Sequence, residues 1–560
     1  MCAAHFGVRD PGKLILWGLA SSGIAAITAF WAFFLNHQIG LVFTFFLVFG
    51  FGTAALVLGV RLRSQIDWRS LVTPLALWWL CSIFVTSLGF LYGGTANPLI
   101  LATTRFSHAL PNDNSLPLYF GEVLFHTGHK IVPPSNGVWL SSDRPPLQMG
   151  YYFLTRPFGT TENFLPYQLM GIAIQQLWVI GAWALLRAAR IRRSTTALIL
   201  VALMVSDLVI VQGFYVWPKL VPVGFLLGAG SVLLTSSWNE SRERISSGLL
   251  VGIFFGLAIL CHGTSLFAII PMLVIAALKA RPNWKFLVAA LVSISCLYMP
   301  WTRYQRSFNP PGDRLNYTML AGDNADASKP LIGEIVTSYS TAGISGALGN
   351  KIVNFNSVTG GFAGTRVLLS ALKSGITGDF QTSIKEARGI RFFSLLQLEG
   401  IFLTGPLIAM VLAIRKWRLR SPEDLVLAKT CALFAVLAVA FWIGTQFGDA
   451  GSVTLVHVGS FAVPALITIG CLTSVSAYSQ RIAAAIAGVN IAASLFLYIP
   501  FMDSGVTQVS KTMTIAVIIS LAGFIAVASL LSSDPSSEQP SVEFKPTIQP
   551  AADRFQRTTP

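Results

Sequence analysis

Apolar runs of about twenty residues recur along most of this chain, and they limit its fold more than any other feature. A helix needs about 20 apolar residues to cross the roughly 30 Å hydrocarbon core of a bilayer. Of the 560 residues, 53% are hydrophobic and 11% are charged, whereas soluble domains carry about 25% charged residues. The sequence therefore predicts an all-α polytopic membrane protein. About fourteen transmembrane helices are predicted, at residues 14–35, 40–60, 71–92, 167–186, 195–216, 220–237, 245–261, 264–279, 286–301, 396–414, 424–445, 454–475, 482–500 and 512–532.

Basic residues indicate the orientation of these spans. Arg9 and Lys13 precede the first run, and the fourth span is followed by Arg187, Arg190, Arg192 and Arg193. Because Lys and Arg collect in cytoplasmic loops, we expect both termini to be cytoplasmic in the inner (plasma) membrane. The same topology explains the net charge of +15. No basic cluster is interleaved with aromatic residues, so nucleic acid is not an expected partner.

The runs divide the chain into five parts. Residues 1–70 form an N-terminal addition of two spans, and residues 71–301 form a membrane module interrupted by a long outer loop, 93–165. Residues 302–395 form a second long outer segment, and residues 396–532 form a C-terminal transmembrane bundle. Loops this long are usually functional or disordered. The tail, 533–560, is rich in Pro and Ser, which predicts a disordered cytoplasmic segment.

The first outer loop contains two similar stretches, "SHALPNDNSLPLYFGEVLFHTG" and "SSDRPPLQMGYYFLTRPFG". Each opens with a Pro-containing turn that carries an acid, Asp113 or Asp143, and continues as a short apolar and aromatic run. Runs too short to span suit helices that lie in the membrane interface. Either acid is equally suited to cap such a helix, and Arg144 is equally suited to bind lipid headgroups.

This layout resembles the GT-C superfamily of integral membrane glycosyltransferases, which combine an outer loop, two interfacial helices and many spans. In the aminoarabinose-transferase and protein O-mannosyltransferase branches, a charged residue precedes a Pro-Pro-Leu element at the second interfacial helix. Residues 143–147, Asp-Arg-Pro-Pro-Leu, look like that element. Asp113 matches the position of the essential acid of the family. The acid usually follows the first span, whereas here it follows the third, so residues 1–70 are interpreted as an addition before the catalytic module.

Other polar residues fall near the predicted outer ends of spans. Lys219, in "YVWPKLVP", suits either a phosphate contact or a lysine that reaches the interface beside a Trp belt. Arg303, Arg306 and Arg314 follow the ninth span, where guanidiniums suit a phosphate or diphosphate or an ordinary polar loop.

Three further residues are candidates of a different kind. Asp207 lies inside the fifth predicted span, where an acid faces a cavity or a partner helix. His262 and His457 lie at outer turns, where a histidine has either a structural or a site role. No HExxH or CxxC spacing predicts a metal site, and a divalent cation is left open.

The resemblance implies transfer of a sugar from a polyprenyl-phosphate donor to a glycan, lipid or protein acceptor on the extracytoplasmic face. Asp113 would act as general base, with Asp143 in reserve. Arg144, Lys219 and Arg314 would bind the donor phosphate. A single displacement would invert the anomeric centre. Two alternatives stay open: an O-antigen-type polymerase or ligase, and a transporter or lipid flippase.

Overall fold

The described part of the chain is built from helices alone. The structure is a computed structural model, and it describes residues 8, 10–106, 110, 112–132, 140–159, 164–310, 312, 314–359, 361–388, 422–448, 458–499 and 508–532. No strand occurs within those ranges, and one isolated bridge joins Tyr92 to Val509. The helices are α1 Pro11–Leu35, α2 His37–Arg61, α3 Trp68–Gly89, α4 Pro98–Thr104, α5 Leu116–Thr127, α6 Leu147–Phe153, α7 Leu165–Gln175, α8 Trp178–Ala188, α9 Arg193–Met204, α10 Asp207–Tyr215, α11 Val221–Leu233, α12 Ile245–Cys261, α13 Leu266–Lys279, α14 Trp284–Ser307, α15 Arg314–Ala321, α16 Leu331–Thr359, α17 Gly361–Ile376, α18 Phe380–Arg388, α19 Pro422–Thr445, α20 Val458–Tyr478, α21 Gln480–Tyr498 and α22 Lys511–Ser532.

Eight of the described helices, counting α7 and α8 as one, are long and apolar enough to cross a membrane. The bent pair α9 and α10 raises the number to nine if it forms one span. This confirms an all-α, membrane-embedded protein. Four further predicted spans are shorter apolar helices, at Val221–Leu233, Ile245–Cys261, Gly263–Lys279 and Ala462–Tyr478. The predicted span 396–414 and the tail 533–560 lie outside the described residues. A total of fourteen spans therefore stays a prediction.

The core of the bundle is formed by α8, α10, α11 and α12. Every residue of α11 is buried. Glycines on α12 allow α14 to approach closely: a Cβ at Gly252 would lie 2.3 Å from the Ala290 carbonyl oxygen. Small residues have this role in membrane helix pairs, where close van der Waals packing replaces the hydrophobic drive. In contrast, α2 lies at the periphery, because only 6% of its most apolar stretch is buried.

The second predicted interfacial helix has a different environment from the one expected. All seven residues of α6 are buried, and they pack against the middle of α1. A Cβ at Gly150 would lie 2.0 Å from the Ala26 carbonyl oxygen, and the Phe153 ring centroid lies 4.5 Å from that of Phe33. The expectation that α6 lays its aromatic side on lipid is therefore wrong, because protein surrounds it on every side.

The first predicted interfacial helix, α5, buries one face and leaves Tyr119 exposed. Its Glu122 accepts hydrogen bonds from Tyr152 of α6 and from Arg156, which follows α6. Arg156 also stacks on the Phe125 ring at 3.8 Å. These contacts fasten the two short helices of the outer loop to each other.

Candidate functional site

The site is organised by the turn between α10 and α11, residues 215–221. Val216 there has φ 53° and ψ 13°, the left-handed region, which a β-branched residue adopts only when its surroundings impose it. The Lys219 N–H donates to the Trp217 carbonyl oxygen at 2.6 Å, which tightens the turn further. The strained turn aims the side chains of Trp217 and Lys219 at the first outer loop.

Three buried glutamines hold this turn in place. Gln148 of α6 donates to the Val216 carbonyl oxygen at 2.7 Å, and Gln168 of α7 donates to the Phe214 carbonyl oxygen at 2.6 Å. Gln175 donates to the Trp217 carbonyl oxygen, and its own carbonyl oxygen accepts from the Leu220 N–H at 2.7 Å. Buried backbone groups that the helices leave unpaired are thus satisfied by side chains, and the turn is fixed from two neighbouring helices.

Trp217 is the centre of the site. The Lys219 ammonium lies 4.0 Å from the centroid of its ring, and the Arg144 guanidinium carbon lies 5.3 Å from it. The His262 ring centroid lies 6.3 Å away. An indole face attracts cations through its quadrupole, so the Trp217 ring stabilises the buried charges of Lys219 and Arg144 beside each other.

Asp113 completes the charged group. It lies in a short 3₁₀ turn, Asn112–Ser115, directly before α5. Its Oδ2 accepts from Arg144 Nη2 at 3.2 Å, and the side chains are 19% and 7% exposed respectively. The structure thus brings together Asp113, Arg144 and Lys219, which are separated by up to 106 positions in the sequence.

Asp143 and Arg314, predicted as reserve base and phosphate ligand, are paired with each other. The Asp143 side chain is fully buried, and it accepts from the Leu140 N–H at 2.9 Å, from the Arg314 N–H at 3.3 Å and from Arg314 Nε at 3.0 Å. These donors hold the Asp143 carboxylate in a fixed position. The Arg314 guanidinium, predicted to bind phosphate, is instead paired with Asp143 and fastens the start of α15 to the outer loop.

Burial and mutual repulsion shift the ionisation of the basic groups. Burial lowers the pKa of Lys219 well below its usual value, the neighbouring Arg144 charge lowers this pKa further, and Asp113 opposes both effects. Burial also lowers the pKa of Arg144, and the carboxylates of Asp113 and Asp143 oppose it. The Asp113 carboxylate therefore offsets part of the cost of burying the two positive charges, and a bound anion would lower that cost further.

His262 is neutral in this setting. Burial lowers its pKa well below the usual value, and the charges of Lys219 and Arg144 lower it further. Its Nδ1 lies 2.8 Å from the Thr264 hydroxyl oxygen and 3.4 Å from the Thr264 backbone nitrogen. A neutral imidazole adds a hydrogen-bond donor to the site without adding charge.

A cleft of about 80 Å³ lies beside these residues. Its walls include Asp143, Arg144, Trp217 and His262. Leu315, Asn316, Thr318 and Met319 of α15 form another wall. The Phe447 N–H donates to the Met319 carbonyl oxygen at 2.9 Å, which ties α15 to the end of α19. The cleft combines an apolar surface with Arg144, Asp143 and His262. Asp113 and Lys219 are not among its lining residues, and they adjoin it through Arg144 and Trp217.

The remaining predicted candidates lie elsewhere. Asp207 is the first residue of α10, where it accepts from the Leu208 N–H at 2.9 Å, and it is not among the residues that line the cleft. Arg303 and Arg306 are exposed on the last turns of α14 and do not line the cleft either. His457 lies outside the described residues. Arg303 and Arg306 are therefore not part of the group around Trp217, and a phosphate role for them stays a prediction.

Sequence reasoning missed Trp217 as the centre of the site and the three glutamines as its supports. An amide side chain inside or next to an apolar run could have indicated Gln148, Gln168 and Gln175, since buried amides need hydrogen-bond partners. The residues of α15 that line the cleft carried no such signal.

Among the described residues, no three His, Cys, Asp or Glu side chains come close enough together to hold a metal ion. No family model, curated protein or solved structure matches this chain.

Proposed function

We propose that this protein is a membrane glycosyltransferase that takes a sugar from a polyprenyl-phosphate donor, with the cleft beside Trp217 as its active site. One observation carries the proposal: a partly exposed carboxylate, Asp113, lies 3.2 Å from one buried cation and interacts with a second. Such a group has both halves of the chemistry of glycosyl transfer, a base for the acceptor and positive charge for the leaving phosphate.

Donor binding would use the cations. The phosphodiester of the donor carries a negative charge that would offset the buried charges of Arg144 and Lys219, and charge-assisted hydrogen bonds to it are about twice as strong as neutral ones. The phosphate would compete with Asp113 for the Arg144 guanidinium. Donor binding would thus release the carboxylate at the moment when it is needed as a base.

Transfer would follow as a single displacement. The acceptor hydroxyl oxygen forms a bond to the anomeric carbon while the bond from that carbon to the phosphate oxygen breaks. The phosphate leaves with the electron pair, held by Arg144 and Lys219, and the hydroxyl proton passes to Asp113. Attack from the face opposite the leaving group inverts the anomeric centre.

The expected orientation follows from charge. The cleft lies at the end of the bundle opposite to Arg187, Arg190, Arg192 and Arg193, since it is at the N-terminal end of α11 and the C-terminal end of α12. If the arginines are cytoplasmic, the cleft opens on the extracytoplasmic face. The acceptor is proposed only to have a reactive hydroxyl group, whether it is a glycan, a lipid or a protein.

The test is sugar transfer by the purified protein in proteoliposomes supplied with radiolabelled polyprenyl-phosphate sugars and a crude acceptor fraction. We expect transfer by the wild type and a loss of about 10²- to 10⁴-fold in kcat for Asp113→Asn, the usual size of a general-base effect. Asp323→Asn is the matched control, because this carboxylate is exposed, whereas Asp113 is paired with the buried Arg144. Equal rates for the Asp113 and Asp323 variants would overturn the assignment of the base.

A transporter or flippase is the second candidate, and one observation favours it. The fifth predicted span is broken between α9 and α10, which meet at a 55° bend with Asp207 at the start of the second half. Discontinuous helices of this kind carry substrate sites in many transporters. A protein of that class would move a labelled substrate across the vesicle membrane without forming product, and Asp207→Asn, not Asp113→Asn, would abolish the movement.

The O-antigen-type polymerase or ligase differs from the proposed enzyme only in its donor. It would use a diphosphate-linked oligosaccharide, so the same proteoliposomes supplied with monophosphate and diphosphate donors separate the two. Two cations beside Trp217, Arg144 and Lys219, favour a single phosphate group, since a diphosphate would need more positive charge.

A further inference from the structure

A large cavity lies at the other end of the bundle from Trp217. It has a volume of about 1240 Å³, above the roughly 300–1,000 Å³ of pockets that hold small ligands. It lies between α1 and α2 and extends to the ends of α8, α11 and α12. We call it the basic-end groove, because Lys13, Arg187 and Arg244 line it.

The two long walls of the groove are single helix faces. On α2 the lining residues are Leu47, Phe51 and Ala55, spaced four apart, which puts them on one face. This face continues through a π-helical turn, Phe46–Gly50, and such turns are frequent at functional positions. The facing wall of α1 runs from Leu14 to Thr28. The sequence thus provides two apolar faces that do not meet each other.

Because α2 is so weakly buried, packing against the bundle does not close this space. In a bilayer an apolar space between two spanning helices is filled by hydrocarbon and not by water, since water there would lack hydrogen-bond partners. The shape therefore suits a lipid chain lying parallel to α1 and α2.

The charged end of the groove identifies the headgroup. Three cations, Lys13, Arg187 and Arg244, line it together with one carboxylate, Asp10. Asp10 is engaged as the cap of α1, where it accepts from the Lys13 N–H at 2.8 Å. Arg244 also pairs with Glu240 at 3.1 Å on the exposed surface, a weak kind of pair. Hydroxyls of Ser237, Ser241, Ser246 and Ser247 lie along the same end.

We propose that the basic-end groove binds a phospholipid with an anionic headgroup from the surrounding bilayer. The headgroup phosphate contacts Lys13, Arg187 and Arg244 together with the serine hydroxyls, and an acyl chain lies along Leu47, Phe51 and Ala55. Basic residues near the membrane surface attract anionic lipid by about 1 kcal/mol each. The lipid fills the space that keeps α2 apart from α1, so the protein retains it as a structural component. This proposal goes beyond the proposed transferase activity and does not depend on it.

Native mass spectrometry of the detergent-purified protein tests this. The protein is titrated with phosphatidylglycerol or phosphatidylcholine of identical acyl chains. We expect the wild type to retain the anionic lipid with a preference of about 10-fold. The triple variant Lys13→Gln/Arg187→Gln/Arg244→Gln should lose that preference, whereas the charge-matched variant Arg303→Gln/Arg306→Gln/Lys329→Gln should keep it, since those residues do not line the groove.

A second variant keeps the proposal testable if the triple variant does not fold. Ala55 is exposed on α2 and faces the groove, so Ala55→Trp places a large ring in the path of the acyl chain and should reduce retention of both lipids. Unchanged preference in the triple variant, or unchanged retention in Ala55→Trp, would overturn the proposal. Displacement of phosphatidylglycerol by an equal concentration of a polyprenyl monophosphate would overturn the assignment to a bilayer phospholipid.

Discussion

Lys219→Met should separate stability from donor binding, because the fold and the proposed chemistry have opposite requirements at this position. The Lys219 side chain is completely buried, and its ammonium lies between the Trp217 ring and the neighbouring Arg144 charge. Methionine has a similar length and no charge. The variant removes the cation and keeps most of the packing.

The expected effect on stability is small or favourable. Removing the charge ends the contact with the Trp217 ring, which is worth about 2 kcal/mol when desolvated. It also ends the repulsion from Arg144 and the cost of burying an ammonium, which is several kcal/mol per ion. Replacement of buried charged groups by apolar ones of similar volume is often neutral or stabilising by about 1–4 kcal/mol. We expect the thermal unfolding midpoint in detergent to stay unchanged or to rise.

The expected effect on the donor is a clear loss. A hydrogen bond to a charged group contributes about 1.5–3 kcal/mol, which corresponds to a rise of about 10- to 150-fold in the KM for the polyprenyl-phosphate sugar. Transfer is measured in proteoliposomes over a range of donor concentrations. Lys279→Met is the matched control, because Lys279 caps the Leu234 carbonyl oxygen at 2.7 Å away from the cleft. Unchanged donor KM in a stably folded Lys219→Met variant would refute the role of this lysine.

Three further results are expected. Donor binding needs a protonated Lys219, and the pKa of this lysine is lowered. The donor KM should therefore rise with pH, beginning at a pH below 10.5. Lys219→Arg should flatten this pH profile because arginine stays protonated, and superimposable profiles of the two proteins would contradict this. Gln148→Leu should destabilise the protein by about 1–3 kcal/mol, since the Val216 carbonyl oxygen loses its donor, and an unfolding midpoint equal to that of the wild type would refute the bracing role. Arg314→Gln should cost about 3–5 kcal/mol by leaving the buried Asp143 unpaired, and the added change Asp143→Asn should recover part of it; no recovery would show that the pair is not the cause.

The helical, membrane-embedded nature of the chain follows from hydropathy alone, because composition over twenty residues decides the solvent of a helix. The meeting of Asp113, Arg144 and Lys219 was also predictable. All three lie in turns that basic loop residues assign to one side of the membrane, and the number of turns on that side is small. The shortness of α11, at thirteen residues, was not predictable, since the apolar pattern continues past its end.

Other features depend on how the helices rotate and pack, which one sequence does not specify. The pairing of Arg314 with Asp143 joins positions 171 residues apart, and either residue alone suited a role at the phosphate. Burial of α6 on all sides follows from Gly150 fitting against the α1 backbone, whereas the aromatic pattern of α6 suited lipid equally well. The strained φ of Val216 results from the surrounding glutamine contacts and has no local sequence signal.

A structure determined by electron cryomicroscopy in nanodiscs with a polyprenyl monophosphate would test the central claim most directly. The account predicts phosphate density within hydrogen-bond distance of both Arg144 and Lys219, with the Arg144 guanidinium moved off the Asp113 carboxylate. Phosphate bound away from Trp217, or an Asp113–Arg144 pair still closed at 3.2 Å beside bound phosphate, would contradict it.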